Sequence, residues 1–165
     1  MAIDYSRAAH AWEKEKSNFV ALLDLKLEEV ERGRAVMRMP YRQEITNGTG
    51  AVHGGAIVSL CDTAFYVALA SIYGRDQNTA TAALSCNFLA PAKPPHDLIA
   101  DAIVLKAGRT IVYGEVHVRS GDRLVAHATL NFVNLPGPWA SHGSAQKSGD
   151  ALSVSEDGGT AGTPR

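Results

Sequence analysis

The chain has 165 residues, a length at which most proteins form a single domain. Its 16 Lys and Arg residues nearly balance its 17 Asp and Glu residues, which leaves a net charge of −1 at pH 7. This balance excludes the basic surface of a dedicated nucleic-acid binder and the polybasic patch of a peripheral membrane protein, so we expect neither kind of partner.

The first 41 residues predict a helix followed by two strands. Apolar residues recur among charged ones from Asp4 to Leu23, which predicts an amphipathic N-terminal helix that ends near Ser17-Asn18. Leu25–Glu31 and Arg34–Tyr41 have the composition of strands, and the two residues between them are few enough for a hairpin. Because the N-terminus lacks the basic and apolar regions of a signal peptide, we expect a cytoplasmic protein.

The longest apolar segment is Gly54–Tyr73. It contains no Pro, and no Gly after Gly55, so it predicts a helix that is apolar on nearly every face and buried on most sides. A membrane span also needs about 20 apolar residues. This segment, however, includes Ser59, Asp62 and Thr63 and has no flanking basic residue on its N-terminal side. We therefore expect a core helix and not a membrane span.

Four strands are predicted after this helix. The alternation in Thr79–Ala90 predicts that Leu84 and Cys86 lie on one face and Thr81 on the other. The remaining strands are predicted at Leu98–Ala107, Thr110–Arg119 and Leu124–Val133. Together these elements predict an α+β fold in which an antiparallel sheet wraps around one long helix. An open sheet leaves unpaired N–H and C=O groups along its edge, and dimerisation would cover them, so we also expect a dimer.

The last 29 residues differ in composition from the rest of the chain. Gly, Ser, Ala, Thr and Pro supply 19 of them, and large apolar residues are almost absent. Such a segment buries too little surface to offset its ordering entropy. We therefore predict a disordered tail over residues 137–165 behind a single domain of residues 1–136.

The two cysteines, Cys61 and Cys86, lie in separate apolar segments. No C-x-x-C motif and no Cys/His cluster occurs along the sequence, which predicts neither a disulfide framework nor a metal site. The simplest interpretation is two buried thiols in a reducing compartment.

Asp62 is the most informative residue, because it lies inside the apolar helix and no Lys or Arg occurs from residue 43 to residue 74. A carboxylate removed from water without a partner costs several kcal/mol or shifts its pKa. A purely structural role is also open, in which Asp62 caps a loop or pairs with a distant cation such as Arg109.

Two glycines, Gly54 and Gly55, follow His53 at the predicted start of the helix. The free N–H groups of a helix N-terminus point outward with the positive end of the dipole, and glycine lets a ligand approach them closely. A carbonyl oxygen placed there would be polarised as in an oxyanion hole, with Asp62 further along the same helix. Acyl transfer requires such a donor together with a carboxylate.

These residues form part of a longer pattern, Asn-x5-His-Gly-Gly-x6-Asp, which runs from Asn47 to Asp62. The segments Asn87-Phe-Leu-Ala-Pro-Ala92 and Lys106-Ala-Gly-Arg109-Thr110 accompany it. Over about residues 20–134 the chain resembles the hotdog-fold acyl-CoA thioesterases of the PaaI (phenylacetate-pathway) type. The resemblance implies a sheet wrapped around a central helix, and hydrolysis of an acyl- or aryl-CoA thioester to the free acid and CoA.

The resemblance also implies a role for each site residue. Asp62 would be the catalytic carboxylate, acting as general base or as nucleophile, and the Gly54 N–H would bind the thioester carbonyl oxygen. Asn47 would orient the thioester or the leaving thiol, and His53 would support that loop. Thr81 would help to hold the attacking water.

By the same resemblance, two subunits of a homodimer or homotetramer share each site, with Asp62 facing the His53 loop of the other copy. Substrate and CoA contacts are implied for a further set of residues: Gly55, Lys93, Lys106, Gly108 and Arg109. The resemblance implies no metal and no bound cofactor, since coenzyme A arrives as part of the substrate.

The sequence leaves two other functions open. A hotdog-fold hydratase or dehydratase would use His53 as base and Asp62 as acid at a substrate carbon. A non-catalytic acyl-CoA-binding protein is the second alternative, although such a protein needs no carboxylate beside the thioester. The sequence also does not decide whether the acyl group of the substrate is aryl, medium-chain or long-chain.

Overall fold

The computed structural model of the protein describes residues 18–74 and 77–138. Its elements run in the order α1 (Asn18–Leu22), β1 (Lys26–Glu31), β2 (Arg34–Met39), a 3-10 turn (Gln43–Ile45), α2 (Gly54–Tyr73), β3 (Gln77–Phe88), β4 (Leu98–Ala107), β5 (Ile111–Ser120) and β6 (Arg123–Pro138). The six strands form one antiparallel sheet in the order β1-β2-β4-β5-β6-β3, and α2 packs across it. The predicted arrangement of one long helix on an antiparallel sheet is confirmed.

The connections between strands are only partly those that the sequence suggests. The hairpins β1–β2, β4–β5 and β5–β6 are formed. β3, by contrast, does not pair with β4, the next strand in the chain, but with β6. β4 continues the sheet from β2, with Ala35 opposite Ala102. The loop of residues 89–97 therefore carries the chain from the edge of the sheet to its middle, which consecutive strand patterns do not reveal.

α2 contacts all six strands, and its buried residues form one stripe. The stripe recurs mainly at spacings of three and four residues and consists of Ile57, Leu60, Cys61, Ala64, Phe65, Val67, Ala68 and Leu69. The opposite face, which includes Asp62 and Tyr66, is only partly buried. The prediction that this helix is buried on most sides is therefore wrong for a single chain, because the sheet covers one side of it.

Close packing of α2 on the sheet depends on Gly114 in β5. A Cβ atom at this position would overlap the ring of Phe65 and the carbonyl oxygen of Ile103. Without that atom, the Phe65 ring lies directly on the sheet, where its centroid is 5.3 Å from that of Phe132. Gly114 thus sets the distance between the helix and the sheet.

A bulge in β3 changes which of its residues face the helix. The register with β6 shifts between Thr81 and Ala83, so Thr81 pairs with Phe132 and Leu84 pairs with Leu130. Phe132 and Leu130 are two residues apart and point to the same side of β6, so Thr81 and Leu84 share that side. The prediction that they lie on opposite faces is wrong, because the bulge inserts one residue into the alternation.

Two predicted segments fall largely outside the described residues. Of the segment Asp4–Leu23, residues 18–23 belong to the described part, and Asn18–Leu22 is helical, beyond the predicted helix end near Ser17-Asn18. β6 extends to Pro138, so its last two residues lie within the stretch predicted as a tail. The rest of that stretch lies outside the described residues, and the domain boundary stays a prediction.

By length and composition alone, α2 would also qualify as a membrane-spanning helix. Its stripe of buried residues packs against the sheet, which accounts for the apolar composition of that side. In the described structure α2 is the core helix, as predicted.

Candidate active site

Asp62 lies near the middle of α2 and faces β3. Oγ1 of Thr81 donates a hydrogen bond of 2.7 Å to Oδ1 of Asp62. Burial raises the pKa of Asp62 above its ordinary value, and the hydrogen bond from Thr81 opposes that shift. Two residues that the sequence predicts to act together are therefore in direct contact.

The partner of Asp62 is a hydroxyl and not a cation. Arg109 lies in the β4–β5 turn, where Oη of Tyr73 donates a hydrogen bond of 2.9 Å to the carbonyl oxygen of Gly108. Asp62 precedes Tyr73 by 11 residues, which is about 16 Å of helix at 1.5 Å per residue. No ion pair joins Asp62 to a basic side chain within residues 18–74 and 77–138. The alternative pairing with Arg109 is therefore excluded in a single chain.

His53 is the N-cap of α2, with an extended backbone at φ −64° and ψ 137°. Its Nδ1 accepts a hydrogen bond of 2.9 Å from the N–H of Gly55. Nδ1 therefore carries no proton in this arrangement. The N–H of Gly54, by contrast, has no acceptor among the described residues and is available to a ligand.

The loop before α2 is held by the side chain of Asn47. Its Oδ1 accepts hydrogen bonds from the N–H (2.9 Å) and the hydroxyl (2.8 Å) of Thr49. The Asn47 N–H bonds to the carbonyl oxygen of Ala51 at 2.8 Å. Because its oxygen is engaged in the turn, Asn47 offers a ligand its side-chain NH2 group.

An open groove of about 450 Å³ lies at the start of α2. Its lining includes Asn47, Gly54, Phe88 and Leu89. The Phe88 ring covers Gly54 so closely that a Cβ atom on Gly54 would lie 3.0 Å from it. Phe88 and Leu89 are nevertheless 54% and 55% exposed, so the groove combines apolar walls with the available N–H of Gly54.

One chain does not bring Gly54 and Asp62 to the same atom. They are eight positions apart on one helix (62 − 54), which separates them by about 12 Å along the helix axis. A single thioester carbonyl is much smaller than this distance. The two groups predicted to act on one bond are therefore at two separate places on a protomer.

Comparisons with known proteins identify the family. A model of the thioesterase superfamily matches residues 49–130, a range that includes His53, Gly54, Asp62 and Thr81. A protein of Halobacterium salinarum named "Putative esterase" is 36% identical over 104 residues, which is 60% of this chain and 68% of that protein. The chain belongs to the thioesterase superfamily. It is therefore a thioester hydrolase by family.

Two further similarities concern this superfamily member. Acyl-coenzyme A thioesterase 13 of Homo sapiens is 29% identical over 96 residues, 57% of this chain and 68% of that protein. The structure of PaaI from the phenylacetic acid degradation operon of E. coli superposes with a TM-score of 0.71 and 23% identity, covering 81% of this chain and 95% of PaaI. The predicted hotdog fold and the resemblance to PaaI-like thioesterases are confirmed.

The predicted CoA-contacting residues of this thioesterase lie at both ends of α2. Gly55 is in the first turn, and Lys93 is exposed in the β3–β4 loop, which bonds to the segment before α2. Lys106 and Arg109 are exposed beside Gly108, near the C-terminal end of the helix. A single protomer does not bring the two groups together, and their contacts with CoA stay predictions.

Sequence reasoning missed a cluster on the face of the sheet that points away from α2. This outer cluster consists of Glu115 and His117 on β5 and His127 on β6. His117 and His127 are direct cross-strand partners, and Nε2 of His127 lies 3.1 Å from Oε2 of Glu115. The Glu-x-His spacing places two of the residues on one strand face. The register of β5 with β6 places the third residue, His127, beside them.

Cys61 in α2 and Cys86 in β3 are free thiols. Interaction with the neighbouring Cys86 thiol, together with burial, raises the pKa of Cys61, and the same interaction lowers the pKa of Cys86. Cys61 is fully buried, whereas Cys86 is only partly buried. The prediction of buried thiols is confirmed for Cys61 alone.

Proposed function

We propose that the chain is an acyl-CoA thioesterase in which Asp62 is the catalytic carboxylate. The contact between Asp62 and Thr81 carries this proposal, because it joins a partly buried carboxylate to a hydroxyl without a basic partner among the described residues. The raised pKa makes ionised Asp62 a stronger base than a solvated carboxylate. Asp62 therefore activates water or attacks the thioester carbon itself.

In the water route, the attacking water is held by Asp62 and the Thr81 hydroxyl. Asp62 accepts a proton from this water as its oxygen bonds to the thioester carbon. The carbonyl oxygen takes up negative charge, which the Gly54 N–H and the positive end of the helix dipole stabilise. The carbon–sulfur bond then breaks, the thiolate of CoA takes up a proton, and the free acid leaves.

The remaining site residues position these groups. His53 caps α2 and thereby fixes the direction of the Gly54 N–H. Asn47 directs its side-chain NH2 to the thioester or the leaving thiol. Because Nδ1 of His53 is engaged with the Gly55 N–H, this nitrogen does not serve as a base. That engagement favours hydrolysis over the hydratase alternative.

We further propose that the active form is a homo-oligomer, a dimer or a tetramer, in which Asp62 of one copy faces the His53 loop of another. The separation of Gly54 and Asp62 by about 12 Å along one helix supports this arrangement. The partly buried outer face of α2 and the unpaired edge of β3 also support it. Native proteins usually cover such edges.

The first experiment measures thiol release from acetyl-, hexanoyl-, decanoyl-, palmitoyl-, phenylacetyl- and benzoyl-CoA. Asp62→Asn is expected to lower kcat by ~10²–10⁴-fold, because a positioned base contributes about that much. The matched control is Asp122→Asn, since Asp122 is exposed in the β5–β6 turn, and it is expected to retain wild-type turnover. The acyl-CoA with the highest kcat/KM identifies the acyl class.

Three results would contradict this function. Equal turnover of wild type and Asp62→Asn would remove the carboxylate from the mechanism. Loss of crotonyl-CoA absorbance without thiol release would indicate a hydratase. Tight binding of every acyl-CoA without turnover would indicate a binding protein.

The shared site is tested by mixing two inactive chains. Gly54→Pro removes the N–H donor at the first helical position, which Pro suits, and the extended backbone of His53 is compatible with a following Pro. Co-expression with Asp62→Asn is expected to restore about a quarter of the wild-type sites at random pairing, because each mixed dimer contains one intact site. A site within one chain would restore none.

A further inference from the structure

We propose that the outer cluster, Glu115, His117 and His127, binds one divalent transition-metal ion of the Zn²⁺ class. The three ligand atoms all lie within 4.8 Å of one another. They are on the face of the sheet opposite α2, so the site is separate from Asp62 and independent of the proposed function.

The sheet itself preforms this cluster. His117 and His127 are paired across β5 and β6, with ring centroids 4.8 Å apart. Glu115 is two residues before His117 and therefore points to the same side. With bonds of about 2.0 Å, tetrahedral ligand atoms on Zn²⁺ are separated by about 3.3 Å. The Glu115–His127 distance of 3.1 Å already matches this. The ligand atom of His117 lies within 4.8 Å of the other two, and we expect a rotation of its side chain to bring it to the same spacing.

The donor atoms select the class of ion. Two imidazoles and one carboxylate suit Zn²⁺, Co²⁺, Ni²⁺ and Cu²⁺, whereas Mg²⁺ and Ca²⁺ prefer oxygen donors throughout. The carboxylate of Asp101, which pairs with His117 in the sheet, is already bound by Arg34 at 2.8 and 2.9 Å. Three protein ligands also leave a position for water.

A metal at this position would join β5 to β6 in the interior of the sheet. An ion that binds the folded chain and not the unfolded chain stabilises the fold by mass action. Zn²⁺ is therefore expected to raise the melting temperature of the wild type. Thioester hydrolysis is expected to be unchanged, because the cluster contacts none of the proposed catalytic residues.

The test uses the full, untagged chain after treatment with a chelator. Calorimetric titration with Zn²⁺ is expected to show one saturable ion per chain, and Co²⁺ is expected to give a visible absorption band. Glu115→Gln and His127→Gln are each expected to weaken Zn²⁺ binding at least ~10–100-fold. The control is His96→Gln, which changes an exposed histidine of the β3–β4 loop and is expected to leave binding intact.

Two outcomes would overturn the proposal. One is unchanged Zn²⁺ affinity in the double variant His117→Gln/His127→Gln. The other is the absence of saturable Zn²⁺ binding to the wild type. Circular dichroism checks that each variant is folded, and Glu115→Gln preserves side-chain shape, so the site stays testable if a histidine variant unfolds.

Discussion

The Thr81 hydroxyl and the Asp62 carboxylate are joined at 2.7 Å because β3 contains a bulge directly after Thr81. Without the extra residue, Thr81 would point away from α2 while Leu84 pointed toward it. Bulges re-aim side chains in this way and are frequent beside active sites. One residue of backbone irregularity therefore builds the contact on which the proposed mechanism rests.

Removal of the Thr81 hydroxyl is expected to change the pH dependence of hydrolysis. The hydrogen bond from Thr81 lowers the pKa of Asp62, so Thr81→Val raises that pKa further. Because Asp62 acts in its ionised form, the acid limb of the kcat/KM profile moves to higher pH. Turnover at neutral pH is also expected to fall about tenfold, as a hydrogen bond to a charged group is lost. Thr81→Ser retains the hydroxyl and is the control; a limb at the same pH in all three proteins would contradict the prediction.

Asp62→Asn is expected to stabilise the fold at neutral pH. Burial raises the pKa of Asp62 in the folded chain above its unfolded value of about 3.9. The folded chain then binds more protons in this range, so its stability falls as pH rises through the folded pKa. Asn carries no charge and avoids this loss. Urea unfolding from acid to neutral pH checks the prediction against Asp122→Asn; a less stable Asp62→Asn at neutral pH would refute it.

Two substitutions distinguish the effect of crowding at Gly54 from the effect of losing its N–H group. Gly54→Ala adds a Cβ atom that meets the Phe88 ring at 3.0 Å, and the exposed ring has room to move aside. Gly54→Pro adds a similar obstruction and also removes the donor. We expect kcat of the Pro variant to be ~10²–10³-fold below that of the Ala variant. Equal kcat values for the two variants would remove the Gly54 N–H from the mechanism.

Gly114→Ala is expected to destabilise the protein by about 3 kcal/mol, at the upper end of ordinary overpacking. The added Cβ overlaps a backbone oxygen, that of Ile103, as well as the Phe65 ring, so a side-chain rotation cannot relieve it. Gly48→Ala is the control, because a Cβ atom there meets nothing within 4 Å. Denaturant unfolding measures both variants, and equal stability would mean that the helix moves away from the sheet at little cost.

The sequence by itself determined the elements whose causes are local. Gly54–Tyr73 is a helix because twenty residues of suitable composition follow a capping residue, His53. The helix ends at Gly74, whose backbone N–H bonds to the carbonyl oxygen of Ala70, so neither end depends on a distant residue. The three hairpins likewise follow from short turns between strand-like runs. The relative positions of His53, Gly54 and Asp62 could also be predicted from the sequence, because one helix and its N-terminus place all three residues.

Only the tertiary structure decided the contacts that depend on register between distant strands. These include the pairing of β3 with β6, the approach of Thr81 to Asp62 and the convergence of His127 on Glu115 and His117. Side chains of a strand alternate with a period of two, so a shift of one residue exchanges its two faces. Packing across the whole sheet selects that register, and a single strand's pattern of polar and apolar residues does not contain it.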